Sequence, residues 1–135
     1  MALNITAVRA AMAAQFDVAY GTELQIATAP DQLTPPCLLL GMPDVDYHHA
    51  FASGLDMMSF PVYVIHPRTH DQAAVDLLDR MVSGVGPESL IRILEADQRL
   101  GGACQTLVAQ SAVHEIYPGA TGDLPCYHFT IEVYG

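Results

Sequence analysis

Lysine is absent from this sequence, and basic side chains are few. The five basic residues are all arginines, whereas Asp and Glu together number 15, so the formal net charge is −10. Binding to nucleic acid phosphates, or to an anionic membrane through a polybasic segment, needs clustered cations. Both classes of function are therefore excluded. The acid excess fits either a soluble surface or repulsion of a polyanion, and the sequence leaves these two open.

Charged residues of both signs are also scarce, at 15% of 135 residues, while 51% are hydrophobic. Such a chain can bury the core of one compact domain, and its sparsely charged surface is typical of proteins that pack against other subunits. Three cysteines (Cys37, Cys104 and Cys126) form no C-x-x-C pair. This spacing favours buried, inert thiols in a reducing compartment.

Targeting and membrane-spanning segments are not recognisable. The start, "MALNITAVRAAMAAQF", lacks the basic region and long apolar run of a signal peptide. No apolar stretch approaches the roughly 20 residues that span a bilayer. We therefore expect synthesis in the cytosol and no membrane association.

Hydrophobic periodicity predicts an α+β domain covering residues 1–135, with a mostly antiparallel sheet. An N-terminal helix over 4–18 has Asn4 as N-cap and an apolar stripe. That stripe comprises Ile5, Val8, Met12 and Phe16. Two further helices are grouped in the middle of the chain and pack on the sheet: one over 70–84, and a short one beginning near Pro87. Grouped rather than alternating helices and strands indicate α+β.

The predicted strands precede and follow those two helices. They cover 24–28, 37–41, a hairpin of 45–51 with 57–65, then 104–113 and 127–134. Pro61 requires an edge or a bulge, because proline has no N–H for a sheet ladder. Residues 117–125 are rich in turn formers and predict a loop. The last strand alternates most clearly, with Tyr127, Phe129, Ile131 and Val133 toward the core.

No catalytic constellation is evident, and we expect no enzyme, cofactor or metal. The densest group of possible metal ligands is Asp44, Asp46, His48 and His49, followed by His66 and His70. On a strand His48 and His49 face opposite ways, so at most one joins Asp46. A small metal-dependent enzyme using Asp46, His48 and His66 is the catalytic alternative. The pairs Glu88–Arg92 and Glu95–Arg99 have the i, i+4 spacing that supports an exposed helix.

The segment "GPESLIRILEADQRLGGACQTLVAQSAV", residues 86–113, resembles the C-terminal half of the tail terminator (tail completion) proteins of long-tailed bacteriophages. The residues that carry this pattern are Ser89, Leu90, Leu94, Asp97, Leu100, Gly101, Gly102, Thr106 and Val108. The upstream half is similar at Tyr47, Phe51, Gly54, "FPVYV" at 60–64, Ala74, Leu78, Asp79, Val82 and Ser83. Cys104 stands where that family more often has an aliphatic residue.

The resemblance implies a structural virion protein without catalytic residues. Members of that family form rings, commonly hexameric, that cap the tail tube, stop its polymerisation and provide the surface joined by the head connector. It implies homo-oligomer contacts, tail tube and head–tail connector partners, and DNA passing through without specific binding. The location would be the neck end of the virion tail, after assembly in the host cytoplasm. A connector or head-completion protein of the neck is the nearest alternative, and a host ligand-binding domain is another.

Two sets of residues are candidates for a role in such a ring. At the tip of the predicted hairpin, "ASGLDMM" is expected to expose Leu55, Met57 and Met58, either as ordinary surface or as a contact with a neighbouring subunit or the tube. Acidic residues would repel DNA from the channel. The set proposed for the lining is Asp44, Asp46 and Asp56, and the central helix offers Asp71, Asp76 and Asp79 instead.

Overall fold

A six-stranded sheet carries three helices on one of its faces. The computed structural model describes residues 4–21, 25–27, 37–50, 55–65, 72–87, 89–104, 106–119 and 122–135. The elements in chain order are α1 (Ile5–Tyr20), β1 (Gln25–Ala27), β2 (Cys37–Leu40), β3 (Asp44–Ala50), β4 (Leu55–Ile65), α2 (Gln72–Val82), α3 (Leu90–Glu95), β5 (Thr106–Gly119) and β6 (Gly122–Tyr134). The predicted single α+β domain is confirmed.

Helix α1 begins where the sequence predicts. The Asn4 side chain accepts a hydrogen bond from the Ala7 backbone N–H at 3.0 Å, which satisfies one of the free donors of the first turn. Val8, Met12 and Phe16 are buried as expected, and Tyr20 extends the stripe by one turn. The prediction was wrong at Ile5, which is exposed. The buried stripe of α1 therefore starts one turn later, at Val8.

The strands are ordered β1-β2-β4-β6-β5, and β3 pairs with β4 on the same side as β2. Only β1 and β2 run parallel; the pairs that β4 makes with β2, β3 and β6, and the β5–β6 pair, are antiparallel. Between Leu40↔Val62 and Asp44↔Ser59, three residues (41–43) stand against two (60–61). β2 and β3 are therefore one strand interrupted by an irregularity that shifts the register by one.

Pro61 lies opposite this irregularity, in the central strand β4. Its carbonyl accepts a hydrogen bond from the Gly41 N–H at 2.8 Å, so the proline nitrogen also faces residues 41–43. The ladder with β6 continues past it, with Pro61 opposite Thr130. The sequence required an edge or a bulge at Pro61. β4 is a central strand, and the extra residue lies in the opposing segment 41–43, which explains how β4 accommodates a residue with no N–H.

The absence of a side chain at Gly41 allows the backbone there to lie close to the Pro61 ring. A Cβ at Gly41 would lie 2.7 Å from Cγ of the Pro61 ring, whereas a Cβ at Gly84 would meet nothing within 4 Å. We expect Gly41→Ala to lower the free energy of unfolding by about 1–3 kcal/mol, the usual cost of overpacking, because the proline ring cannot rotate away. Urea denaturation of Gly41→Ala beside Gly84→Ala measures this. Equal losses in the two variants would contradict the close packing at Pro61.

The two faces of the sheet differ in what covers them. On the helix side, Met58, Phe60, Val62 and Val64 of β4 are buried beside apolar residues of β6 and of the three helices. These β6 residues are Phe129, Ile131 and Val133, which confirms their predicted direction, while Tyr127 is half-buried against the same cluster. The opposite face, here the outer face, carries Ser59, Pro61 and Tyr63 of β4 beside His128, Thr130 and Glu132 of β6.

The prediction of a loop over 117–125 was wrong. β5 continues to Gly119 and β6 begins at Gly122, and the paired residues include Ile116 with Pro125 and Pro118 with Asp123. The ladder between β4 and β6 ends at Ile65↔Cys126, so this end of the hairpin pairs only with itself in the described residues. Prolines are tolerated there because each strand has one side that needs no partner. The turn-forming residues therefore lie in a two-stranded ribbon, formed by the ends of β5 and β6, and not in a loop.

Candidate assembly surfaces

The segment 89–108, which carries the family-like pattern, contributes side chains to the core and forms a turn. Leu90, Leu94 and Leu100 are buried in the core. The Asp97 carboxylate accepts a hydrogen bond from the Gly101 N–H at 2.9 Å. Gly101 and Gly102 have φ of 67° and 100°, values that glycine adopts without strain. The pattern therefore encodes a helix, a tight turn and the entry to β5.

The expected ion pair between Glu95 and Arg99 is wrong. α3 ends at Glu95, so Arg99 lies beyond the helix and the i, i+4 geometry does not apply. Glu88, the other predicted acid, lies outside the described residues. Arg92 and Arg99 are both exposed, and within the described part of the chain neither forms an ion pair.

The three cysteines are buried and free. Burial raises the pKa of Cys37 and of Cys126 from 9.0 to about 11, with the Glu115 carboxylate adding to the effect at Cys126. Burial, and then the charge of Asp97, also raises the pKa of Cys104. A nucleophilic cysteine needs the opposite shift, so these thiols are suited to packing.

These shifts predict a pH dependence of stability. The folded pKa values are raised, so the folded state holds thiol protons that the unfolded chain releases near pH 9. The stabilisation is therefore complete below pH 9 and is lost as pH rises toward about 11. We expect the free energy of unfolding to fall across this window, and to fall less steeply in Cys37→Ala and Cys126→Ala. Denaturant titrations across that range test this, and unchanged slopes in both variants would contradict it.

The predicted hairpin contact residues do not share a surface. Met58 is 0% exposed and belongs to the core, so its predicted exposure was wrong. Met57 is half-buried on the outer face, opposite Asp46 of β3 and Tyr134 of β6. The two methionines separate because consecutive strand residues face opposite sides. The side chain of Leu55 and the tip at 51–54 lie outside the described residues.

The predicted acidic lining also divides between surfaces. Asp44 and Asp46 are exposed on the outer face, where they pair with Ser59 and Met57. Asp56 is half-buried on the helix side of β4 and exchanges backbone hydrogen bonds of 2.9 and 3.0 Å with Gly135. On α2, Asp76 and Asp79 are exposed, while Asp71 lies outside the described residues. Two exposed acidic sets thus exist, one on each side of the sheet.

A shallow groove of about 330 Å³ crosses the outer face at the irregularity between β2 and β3. Asp44 lies at this groove, together with Pro61, Tyr63 and His128. The rings of Tyr63 and His128 stack with centroids 4.7 Å apart, and His128 Nδ1 lies 3.2 Å from the Glu115 carboxylate. Sequence reasoning missed this groove because it depends on the pairing of three strands that are distant along the chain.

The described arginines lie on the helical side or at its margin. Arg80 is on α2, Arg92 on α3 and Arg99 just after α3. Arg9 of α1 reaches the sheet margin, where its Nη2 lies 3.5 Å from Met42 Sδ and its guanidinium carbon 6.0 Å from the Phe60 ring centroid. Arg92 and Arg99 are exposed on the helical side, which also carries the exposed acids Asp76 and Asp79.

The catalytic alternative used Asp46, His48 and His66. Only the Asp46 side chain is described, since those of His48 and His66 lie outside the described residues. Among residues that are described, no group of three or more His, Cys, Asp or Glu side chains is arranged to hold a metal ion. No helix in the same set is long and apolar enough to cross a membrane. Neither a scan against models of known protein families nor a search of curated proteins finds a match for this chain.

Proposed function

We propose that this protein is a structural component of a phage tail: it forms a ring, most simply of six subunits, that caps the tail tube, ends its polymerisation and presents the attachment surface for the head connector. Its partners are then other copies of itself, the tube protein and the connector. It acts at the neck end of the virion tail after assembling in the host cytoplasm.

The observation that carries this proposal is the segment 89–108. Its sequence resembles the terminator pattern, and the family-like positions are ones that the fold uses: leucines in the core, Asp97 on the Gly101 N–H, and glycines at positive φ. A protein that acts by assembly needs residues that stabilise its fold and does not need catalytic groups. The positions in this pattern serve packing and turn geometry. The raised pKa values of the three cysteines favour the same interpretation.

The acid excess supports passage of DNA through the ring. At physiological salt a charge acts over about 8 Å, so only residues that line the channel influence the DNA. The candidates are the outer-face set, Asp44 and Asp46, and the α2 set, Asp76 and Asp79. We expect one of these sets, and no arginine cluster, in the lumen of the assembled ring. A density map of the ring measures this, and an arginine-lined lumen would contradict the role in DNA passage while leaving capping intact.

Control of tube length tests the capping role. Tail tube protein polymerised without this chain should form tubes of unlimited and varied length, and adding it should stop growth at one end. Length distributions from electron micrographs give the result. Unchanged growth would remove the proposal. Binding to the head-side connector without any effect on tube growth would instead favour a head-completion protein.

A further inference from the structure

We infer that the free edge of β5 pairs with β5 of a second copy of this chain, in an antiparallel arrangement that places Gln110 of one copy opposite Ser111 of the other. The sheets of the two copies then continue into each other. A two-fold contact of this kind joins two copies and no more. It is therefore additional to the contacts around the proposed ring and does not rest on that ring.

The edge of β5 is long and open. β5 is the last strand of the sheet, and within the described residues β6 is the only strand that pairs with it. The backbone N–H and C=O groups on its other side can therefore pair with another chain. β5 has 14 residues, whereas β1 at the opposite end of the sheet has three, so β5 is the edge that offers an extended ladder.

The side chains along this edge do not protect it. Natural sheet edges are commonly blocked by charged residues, above all lysine, or by proline. This chain has no lysine, and the stretch 106–115 contains no proline and one charged residue, Glu115. The Glu115 carboxylate lies 3.2 Å from His128 Nδ1 of its own sheet. The same stretch exposes apolar side chains, since Val108 is 37% exposed and Val113 is 51% exposed.

An extra residue in β5 determines which side chains share a face. Ala109 and Ser111 stand opposite consecutive residues of β6, so Gln110 between them has no partner there. Ser111 lies on the outer face, opposite Thr130. The Gln110 side chain donates a hydrogen bond of 2.9 Å to the Glu132 carboxylate, which is also on the outer face. Even-numbered residues therefore lie on the outer face up to 110, and odd-numbered residues from 111 onward.

One antiparallel register alone matches the faces of two copies over all of 106–115. It places Gln110 opposite Ser111 of the second copy and Val108 opposite its Val113. Every other register sets some helix-side residues against outer-face residues. A bulge commonly weakens an edge strand, but here the bulges of both copies meet at the two-fold axis and keep the faces aligned. The paired valines are β-branched neighbours of the kind that stabilises a sheet.

The same register keeps like charges apart. Glu115 stands at one end of the paired stretch, opposite Thr106 of the second copy, so the Glu115 carboxylates of the two copies lie at opposite ends of the contact. At about 3.3 Å per residue they are roughly 30 Å apart. A charge acts over only about 8 Å at physiological salt, so their repulsion does not oppose the pairing.

A lysine on the edge tests the contact. Val113→Lys replaces the apolar partner of Val108 twice in each pair of copies. Val18→Lys is the matched control, because Val18 is 90% exposed on α1, away from β5. Sedimentation measures self-association, and thermal denaturation measures folding. We expect Val113→Lys to fold and to associate roughly tenfold more weakly than wild type, and the control to associate as wild type does.

Single cysteines test the register. In the proposed pairing Val108 lies opposite Val113 of the second copy, whereas the two copies of either residue are about 16 Å apart, too far for a disulfide. Diamide should therefore link Val108→Cys to Val113→Cys in an equal mixture and leave each variant unlinked when it is alone. The native thiols are buried, and wild type treated in the same way is the control.

Three outcomes would overturn the inference: wild type that stays monomeric at its highest soluble concentration, association that Val113→Lys does not weaken, or cysteine variants that link to themselves as well as to each other. Capping is judged separately by tube growth. Failure of the β5 contact therefore leaves the proposed function standing, and tubes that keep growing beside wild-type protein count against that function alone.

Discussion

Met58→Asp should prevent the subunit from folding. Met58 is 0% exposed on the helix side of β4, in the cluster that contains Phe60 and Val133. An unpaired carboxylate buried there costs several kcal/mol. This is comparable with the entire free energy of unfolding of a typical domain, about 5–15 kcal/mol. Circular dichroism and thermal denaturation of the purified variant measure the loss. A variant with near-wild-type stability would contradict the placement of Met58.

Met57→Asp is the matched control, because the neighbouring side chain faces the other way. Met57 is half-buried on the outer face, opposite Asp46 and Tyr134. The new carboxylate remains near water there, so we expect the variant to fold, with a loss of roughly 1 kcal/mol or less from the nearby like charge. A folded Met57→Asp protein that no longer limits tube length would assign the outer face to assembly. Normal tube length would remove Met57 from any contact.

Phe129→Ala should cost about 3–5 kcal/mol of stability, the usual loss for a buried aromatic side chain. Phe129 is almost fully buried and stands opposite Val62 of β4 and Ala112 of β5, at the centre of the sheet. The adjacent Thr130 lies half-buried on the outer face, so Thr130→Ala should change stability by less than about 1 kcal/mol. Urea denaturation of both variants compares them. Similar losses in the two would mean that the faces of β6 are assigned wrongly.

Local patterns predicted the elements that depend on local physics. The alternation at 127–134 identified the buried face of β6, and the Asn4 cap identified the start of α1. The apolar run at 37–40 identified a strand whose four residues are all buried. In each case burial or a cap is decided within a few residues, so periodicity was sufficient.

The positions at which strands end, and the side of the sheet on which each side chain lies, depended on strands that are far away in sequence. The turn formers in 52–56 suggested a tip that reached Met58, but the ladder with β6 begins at Met57↔Tyr134 and turns Met58 inward. The loop predicted at 117–125 is a ribbon because β5 and β6 continue to pair beyond the end of β4. Propensity favours turns at these residues, and strand pairing prevailed over it.

The candidate site was predicted least well, for the same reason. The sequence identified Asp44 and Asp46 as acids near a turn, yet placed Asp56 with them although it lies on the other side of the sheet. Tyr63 and His128 come from β4 and β6, and only the strand register brings them to one groove beside Asp44. A groove formed by pairing has no sequence spacing by which it could be recognised.

Electron microscopy of this protein mixed with tail tubes that were assembled without it shows directly whether it caps them as a ring. We expect a closed ring of several copies at one end of each tube. A single copy at the tube end, or tube ends that carry no added density, would contradict it.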